Sequence, residues 1–312
     1  MTRHHLMSSV KNEAIYLLEW VAHHKALGFD EIFIATNDSN DGTAPLLRKL
    51  DTNGFVKFSR NKCPPDKIPQ HEGYIVLRDR FAVDECDWLM ILDVDEFLFV
   101  EGEDGTVGSL TAQAPSDVDI IALNPLNFGT APAPRQGEMV TKRFQYRLPD
   151  KDGSNRSIKS ITRNPSRFKG AHNHHLTQPN PAQPLLVQRA DGSTFTIAEK
   201  TKLWTVLRNT PIENVSHDLA FYNHYSIKSR AEYIMRQHRG RGAVAATSDS
   251  KQRHTENYFF NRALADVFDV RISKYDAKTK MWLDKMLAIP SIRAAHEDVE
   301  QQFLARINGL ND

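Results

Sequence analysis

The order of hydrophobic segments in the first hundred residues constrains the fold most strongly. Four apolar runs of strand length, LMSSV (6–10), EIFIAT (31–36), FVKFS (55–59) and WLMIL (88–92), alternate with segments of helical period. EIFIAT is a continuous, largely β-branched run, as expected of a strand covered on both faces. This alternation predicts an α/β fold with a doubly wound, mostly parallel sheet and helices on both faces.

The pattern changes after residue 118. Four shorter strand candidates predict mixed or antiparallel additions to the sheet: KRFQYRL, SIKSITR, PLLVQR and STFTIA. Helical segments return near the C-terminus: KSRAEYIMRQHRG, ENYFFNRALADVF (256–268), SKYDAKTKMWLDKML and SIRAAHEDVEQQFLARI. We therefore expect a C-terminal helical region attached to the α/β sheet.

The charge balance excludes functions that need a strong overall field. Lys and Arg total 40 against 39 Asp and Glu, a formal net charge of +1, so no nucleic-acid partner is expected. The chain has two cysteines, and no apolar run reaches the roughly 18 to 20 residues that span a bilayer. A cytoplasmic location is expected, and peripheral contact with the inner face of a membrane stays open.

Polar segments follow three of the predicted strands: KNE (11–13), NDSNDGT (37–43) and DVDE (93–96). Ligands of doubly wound sheets bind beyond the carboxyl ends of the strands. The sequence therefore predicts that these three segments lie along one edge and form the binding site.

The acids of DVDE predict a cation. On an extended segment Asp93 and Asp95 point the same way and Glu96 points oppositely. Burial of two like charges is costly unless a cation lies between them, and Mg²⁺ or Mn²⁺ would also accept phosphate oxygens. The alternative is a strand end with solvated acids, but FLFV follows at once and returns the chain to the core. We therefore predict a metal-bridged diphosphate site.

WLMILDVDEFLFV resembles the metal-binding D-x-D-E segment of GT-A fold glycosyltransferases, in the group similar to families 2 and 92 with a W-x4-D-x-D-E-F pattern. Three further stretches fit the same group: VKNEAIYLLEWVAHHKALGFDEIFI, NDSNDGT and NHYSIKSRAEYIMRQHRGRG. The resemblance implies a GT-A type catalytic domain that binds a nucleotide sugar over residues 1–242. Residues 243–312 match no such motif and are predicted to be a helical extension packed on that domain.

The resemblance also implies roles for individual residues. Asp93 and Asp95 would bind Mn²⁺ or Mg²⁺ and the ribose or diphosphate of the donor, and His224 would complete the coordination of the metal. Glu96 would support the loop or the acceptor side. Asn12 and Glu13 would lie near the nucleoside.

The NDSNDGT segment departs from the family pattern at its start. Thr36 stands where the first Asp is usual, so Asp38 is the expected substitute, and Asp41 matches the second acid. The sequence Asp41-Gly42-Thr43 equally fits a helix cap and turn.

Basic residues and histidines complete the candidate site. Lys228 and Arg236 follow His224 and would stabilise the leaving diphosphate, the alternative being a solvated helical face. His172 and His174 of HNHH are expected near the acceptor or the diphosphate. A zinc site is disfavoured there, because no companion Cys or helical His pair accompanies them.

These features predict a metal-dependent glycosyltransferase, with a hexosyl group expected. It would transfer sugar from a nucleoside diphosphate sugar, with a UDP-sugar expected, to a hydroxyl of a glycan or glycolipid, in surface polysaccharide or lipopolysaccharide synthesis. Inversion is expected by resemblance, and Asp150, Asp152 and Asp218 are equal candidates for its base. Two alternatives stay open: a nucleotidyltransferase, although KNE replaces the usual Gly-rich or basic loop, and a non-catalytic carbohydrate-binding protein on the same fold.

Overall fold

The protein is described by a computed structural model that covers residues 1–239, 244, 247 and 255–310. The predicted boundary between residues 242 and 243 lies outside these ranges. The strands are β1 (His4–Val10), β2 (Glu31–Thr36), β3 (Lys57–Arg60), β4 (Trp88–Ile91), β5 (Glu96–Val100), β6 (Ile120–Leu123), β7 (Pro125–Asn127), β8 (Tyr146–Arg147), β9 (Lys159–Arg163), β10 (Phe168–Ala171), β11 (Leu176–Pro179), β12 (Leu185–Arg189), β13 (Thr194–Ile197), β14 (Ala220–His224) and β15 (Val267–Phe268). The helices are α1 (Ala14–Ala26), α2 (Thr43–Thr52), α3 (Pro69–Arg80), α4 (Val107–Ala112), α5 (Val140–Arg143), α6 (Leu203–Leu207), α7 (Arg230–Arg239), α8 (Glu256–Ala263), α9 (Asp276–Leu287) and α10 (Pro290–Asn308).

The central sheet has eight strands in the order β13-β12-β6-β9-β4-β1-β2-β3. β1 to β4 pair in parallel, and β6 and β12 run in the same direction as these four. β9 lies antiparallel between β4 and β6, and β13 is antiparallel to β12. The predicted α/β fold with a mostly parallel sheet is therefore confirmed, together with additions from SIKSITR, PLLVQR and STFTIA. KRFQYRL contributes only β8, which lies outside this sheet, so its predicted addition to the sheet is wrong.

Side chains of alternating positions on each strand build two separate cores. On β4, Trp88 and Met90 join one hydrophobic cluster, whereas Leu89 and Ile91 join the other. The first cluster is completed by α1, α2, α9 and α10, and the second by α3 and α6. The helices therefore cover both faces of the sheet, as predicted.

A second, three-stranded sheet determines where the chain goes after the DVDE segment. β5 leaves the central sheet and pairs with β14, which also pairs with β7. The register of β5 and β14 places His224 opposite Glu96. Residues distant in sequence are thus brought to the end of β4.

The C-terminal region differs from the prediction in one segment. ENYFFNRALADVF is not a single helix: α8 ends at Ala263, and Val267 and Phe268 form β15, which pairs with Tyr146 and Arg147 of β8. Cross-strand hydrogen bonds to β8 replace the helical hydrogen bonds that the local sequence favours. α9 packs on α1, and α10 packs on α1 and α2. Within the described ranges, no helix combines the length and the apolar character needed to cross a bilayer.

Candidate functional site

The DVDE segment is a turn and not a continuation of β4. The backbone N–H of Glu96 donates to the carbonyl of Asp93 at 3.0 Å, which closes the chain between β4 and β5. The expectation that Asp93 and Asp95 share one side is therefore wrong, because the two-residue alternation holds only for extended backbone. Asp93 and Glu96 converge on one cation, and Asp95 faces a different one.

The cation between Asp93 and Glu96 is Lys159 of β9, whose side chain is fully buried. Its Nζ lies 3.0 Å from Asp93 Oδ2 and 2.9 Å from Glu96 Oε2, and it donates to the carbonyl of Asn173 at 2.6 Å. Gln70 Nε2 donates to the other Asp93 oxygen at 2.8 Å. Sequence reasoning missed Lys159, and the available signal was a lone lysine within the predicted strand SIKSITR.

This arrangement shifts the pKa of the buried groups. Burial raises the pKa of Glu96, although the Lys159 ammonium opposes the shift. Burial by itself would lower the pKa of Lys159, but the carboxylates of Asp93 and Glu96 outweigh it and raise that pKa. The site therefore keeps a positive charge at Lys159 beneath the turn.

Asp95 faces the side of the turn opposite Lys159 and is also buried. Its Oδ2 lies 2.5 Å from Arg236 Nη1 and 3.8 Å from His224 Nε2. Arg236 also donates to the carbonyl of Ser226 at 2.7 Å. Burial would raise the pKa of Asp95, but the charges of Arg236, His224 and Lys228 hold it well below its usual range.

The ligand atoms present fit a hard divalent cation. Oxygens of Asp95 and Glu96 and a ring nitrogen of His224 all lie within 4.8 Å of one another. Carboxylate oxygens with one imidazole nitrogen are a donor set that Mn²⁺ or Mg²⁺ accepts. Asp93 is not part of this group, and its carboxylate is bound by Gln70 and Lys159.

A cleft of about 140 Å³ opens at this turn and is bordered by all three predicted polar segments. Of the predicted residues, those that line it are Glu13, Asp93, Asp95, Glu96, His174, His224 and Arg236. Asn37 of the NDSNDGT segment lines the cleft, whereas Asp38 of the same segment is exposed to solvent. Thr36 is buried and donates to the carbonyl of Val10 at 2.8 Å, so it joins β2 to β1.

Three predicted donor-binding residues line a neighbouring cavity and not this cleft. They are Asn12, Asp41 and Lys228. The Asp41 carboxylate accepts from the backbone N–H groups of Ala14 and Thr43 at 3.0 Å each, so it caps the first turns of α1 and α2. Its observed contacts match the structural alternative given by the sequence.

None of the three acids considered as a base lines the cleft. Asp150 is exposed and forms an ion pair with Arg147 at 2.8 Å, and Asp218 is exposed. Asp152 accepts from the N–H of Ser154 at 2.8 Å and caps a short helical turn. The geometry therefore brings none of them to the turn.

The HNHH segment forms an aromatic cluster behind the cleft wall. The ring of His172 lies 4.3 Å from that of Trp204 and 5.7 Å from that of His174, measured between centroids. The Nδ1 atom of His174 lies 2.7 Å from the carbonyl of Ile158. Burial lowers the pKa of both His172 and His174, so both imidazoles are neutral near pH 7.

Sequence comparison adds a relationship to this geometry. No protein-family model matches the chain. A glycosyltransferase family 92 protein of Oryza sativa subsp. japonica is 27% identical over 174 residues, which are 54% of this chain and 29% of that protein. Another, from Arabidopsis thaliana, is 35% identical over 88 residues, 28% of this chain and 15% of that protein. Part of this chain is therefore similar in sequence to family 92 glycosyltransferases. The resemblance noted in the sequence is confirmed, and it supports the prediction of an enzyme; the chain spans less than a third of the length of either relative.

Solved structures resemble this chain only weakly. Staphylococcus aureus TarS in complex with UDP is 14% identical, covering 52% of this chain and 47% of that one, with a TM-score of 0.33. TarS in complex with UDP-GlcNAc is 11% identical, covering 99% and 84%, with a TM-score of 0.37. A putative glucose-1-phosphate thymidylyltransferase from Bacillus anthracis gives a TM-score of 0.32 at 11% identity, covering 64% and 89%. The description of the fold therefore rests on the strand order and pairing.

Proposed function

We propose that the chain is a metal-dependent glycosyltransferase that transfers a sugar from a nucleoside diphosphate sugar to a hydroxyl acceptor. The observation that carries the proposal is the convergence of Asp95, Glu96 and His224 at the cleft beyond the carboxyl ends of the strands. The relationship to family 92 glycosyltransferases supports it. A UDP-sugar donor, a glycan or glycolipid acceptor and inversion of configuration are parts of the same proposal.

The buried charges fit the demands of diphosphate departure. Asp95 and His224, with Glu96, would hold Mn²⁺ or Mg²⁺, and the ion when bound would neutralise charge on the diphosphate. Arg236 borders the same cleft and would donate to the diphosphate oxygens as their negative charge grows. Lys159 holds Asp93 and Glu96 in place from below.

Asp93 and Asn37 would orient the donor. The Asp93 side chain is partly exposed to the cleft, while Lys159 and Gln70 fix its rotamer. It can therefore accept a hydrogen bond from a ribose hydroxyl. Asn37 lies on the cleft wall next to Thr36, the place where the family pattern has an acid, and its amide both donates and accepts hydrogen bonds. Glu13 completes this wall.

The proposal extends to the surroundings of the enzyme. Polysaccharide or lipopolysaccharide synthesis at the cytoplasmic side of a membrane would supply a glycan or glycolipid acceptor to a peripheral enzyme. The nucleotidyltransferase alternative differs in product, because it would release pyrophosphate where a glycosyltransferase releases a nucleoside diphosphate.

The test is a screen of nucleotide sugars for hydrolysis and transfer, with and without Mn²⁺. We expect release of the nucleoside diphosphate from one donor, dependent on the metal. Asp95→Asn should lower the rate by about 10² or more, whereas Asp104→Asn, at an exposed loop position, should not change it. Absence of donor binding in the presence of metal, full activity of Asp95→Asn, or release of pyrophosphate from a nucleoside triphosphate supplied together with a sugar phosphate would contradict the proposal.

A further inference from the structure

A second cavity adjoins the donor cleft. It has a volume of about 470 Å³ and lies between the start of α1, α7 and α10. Glu13 and Arg236 line both the cavity and the cleft, so a ligand in one is separated from a ligand in the other by these side chains. The volume is in the range of small-molecule sites, which is about 300–1,000 Å³.

The walls of this cavity are mixed, with polar residues beside an apolar part. The apolar part includes Tyr16, Ile227, Met235, Val299 and Phe303. The ring of Phe303 meets that of Tyr16 edge to face, with centroids 6.0 Å apart. The cavity therefore offers dispersion contacts to an aliphatic chain or to the apolar face of a ring.

Lys228 supplies a buried positive charge to the cavity. Lys228 is only 5% exposed, and its Nζ lies 4.2 Å from the centroid of the Tyr16 ring. Within the described part of the chain, its ammonium makes no ion pair and donates no hydrogen bond. Burial lowers the pKa of Lys228, although the nearby charges of Glu13 and Asp95 oppose this. A buried ammonium gains most from an anion that binds beside it.

The backbone at Lys228 is held in a strained conformation. Its φ is 53°, in the left-handed region that lysine rarely adopts because of its Cβ. Thr130 Oγ1 donates to the Lys228 carbonyl at 2.9 Å and helps to hold this conformation. The strained backbone conformation is thus found at the same residue whose ammonium lies in the cavity.

Three acids line the cavity, Glu13, Asp41 and Glu232, and the last two are engaged by groups of the fold. Glu232 accepts from Arg143 at 2.7 Å, from Tyr16 Oη at 2.8 Å and from Ser229 Oγ at 2.5 Å. Asp41 caps two helices, as described above. The carboxylates of Glu232 and Asp41 therefore already accept hydrogen bonds from other groups of the protein, whereas the Lys228 ammonium faces the cavity.

We propose that this cavity is the acceptor subsite and that it takes an amphipathic acceptor, with a phosphate group next to an apolar chain or ring. The proposal rests on the proposed glycosyltransferase function. Lys228 binds the phosphate, the apolar walls hold the adjoining part, and the reacting hydroxyl reaches the donor cleft past Glu13 and Arg236. The donor's diphosphate is the other phosphate that the ammonium could bind, and competition separates the two sources.

The experiment uses hexyl phosphate as the probe and the full chain. Its binding is measured by calorimetry with and without saturating UDP and Mn²⁺. Hexyl phosphate should bind in both conditions. Lys228→Met keeps the apolar stem but removes a charge-assisted hydrogen bond to the phosphate. It should therefore weaken the binding of hexyl phosphate by at least about tenfold and the binding of UDP by much less. Hexyl β-glucoside, which has no charge, should be insensitive to Lys228→Met, and Lys169→Met at an exposed position should change neither affinity.

Two further measurements keep the proposal testable if Lys228→Met does not fold. Phe303→Ala should weaken the binding of hexyl phosphate but leave the binding of inorganic phosphate unchanged. The competition between hexyl phosphate and UDP needs only the wild-type protein. Displacement of hexyl phosphate by UDP would assign the ammonium to the donor and overturn the proposal, as would absence of hexyl phosphate binding. If UDP itself does not bind with Mn²⁺, it is the glycosyltransferase function that fails, and this outcome is visible independently of hexyl phosphate.

Discussion

The ammonium of Lys159 lies 2.9 Å from the carboxylate of Glu96, and both side chains are buried. The antiparallel insertion of β9 between β4 and β6 places this cation beneath the DVDE turn. The ammonium of Lys159 therefore balances the negative charge of the turn on one side, and the other side of the turn faces the cleft. Asp93 and Glu96 therefore both contact Lys159 and border the cleft.

Removal of Lys159 should destabilise the protein strongly. Lys159→Met leaves Glu96 and Asp93 without their shared cation, and breaking a buried ion pair costs about 3–5 kcal/mol. The free energy of unfolding, measured by urea titration, should fall by about that amount. Lys169→Met is the matched control, because Lys169 is exposed on β10.

The double variant Lys159→Met with Glu96→Gln tests the cause. Glu96→Gln removes one of the stranded carboxylates, so the double variant should be more stable than Lys159→Met alone. A loss below about 1 kcal/mol in Lys159→Met, the size expected of a surface ion pair, would contradict the described contacts.

Arg236 should control donor affinity. It is the guanidinium nearest Asp95 on the cleft wall, and Arg236→Gln removes a charge-assisted donor to the diphosphate. We expect UDP to bind at least about tenfold more weakly, measured by calorimetry with Mn²⁺. Arg230→Gln on the same helix is the control, because Arg230 is exposed and pairs with Glu256. Equal UDP affinity in wild type and Arg236→Gln would refute this role.

The sequence predicted what is encoded locally. The strand-helix alternation and the three polar segments are properties of short windows, and the structure confirms the sheet that they imply. Short sequence windows could not predict the contact between Lys159 and Asp93, because these residues are 66 positions apart in the sequence. The alternation expected through Asp95 was wrong because a single hydrogen bond, from Glu96 to Asp93, turns the backbone.

A similar limit applies to Asp38 and Lys228. Side chains of one polar loop point in different directions, so Asn37 faces the cleft while Asp38 is exposed. Lys228 follows His224 by four positions, yet its strained backbone places it in the neighbouring cavity. Both outcomes depend on backbone angles at single residues, which composition and spacing do not determine.

Buried neutral histidines should make the fold sensitive to acid. Burial lowers the pKa of His23 to about 4, and its Nε2 lies 2.8 Å from the carbonyl of Leu98, which fits a ring that donates this hydrogen bond. A lowered folded-state pKa gives stability above the unfolded value near 6.5 that is lost as the pH falls toward 4. At pH 5 this single residue should cost about 2 kcal/mol relative to pH 7.5.

His23→Gln keeps a side-chain donor and removes the titration. The difference in unfolding free energy between pH 7.5 and pH 5 should therefore be smaller than in wild type by about 2 kcal/mol. His238→Gln, at an exposed position of α7, should leave that difference unchanged. An identical pH dependence in wild type and His23→Gln would show that His23 is not held neutral by burial.

Metal affinity should distinguish the two aspartates of the turn. Asp95 belongs to the group of three ligand atoms and Asp93 does not, since Gln70 and Lys159 bind its carboxylate. Loss of a direct charged ligand removes more binding energy than loss of a neighbouring charge. The affinity for Mn²⁺ can be measured by titration followed by electron paramagnetic resonance with UDP present. Asp95→Asn should lower this affinity by about tenfold or more, and Asp93→Asn should lower it by less.

His224→Gln completes this series. It should also weaken Mn²⁺, because it removes the ring nitrogen that lies within 4.8 Å of the Asp95 and Glu96 oxygens. His238→Gln serves as the imidazole control. If Asp93→Asn weakens the ion as much as Asp95→Asn does, the cation lies between the two aspartates, and Asp93 must leave Lys159 when the metal binds. If neither changes Mn²⁺ affinity, Arg236 alone supplies the positive charge that Asp95 meets in this cleft.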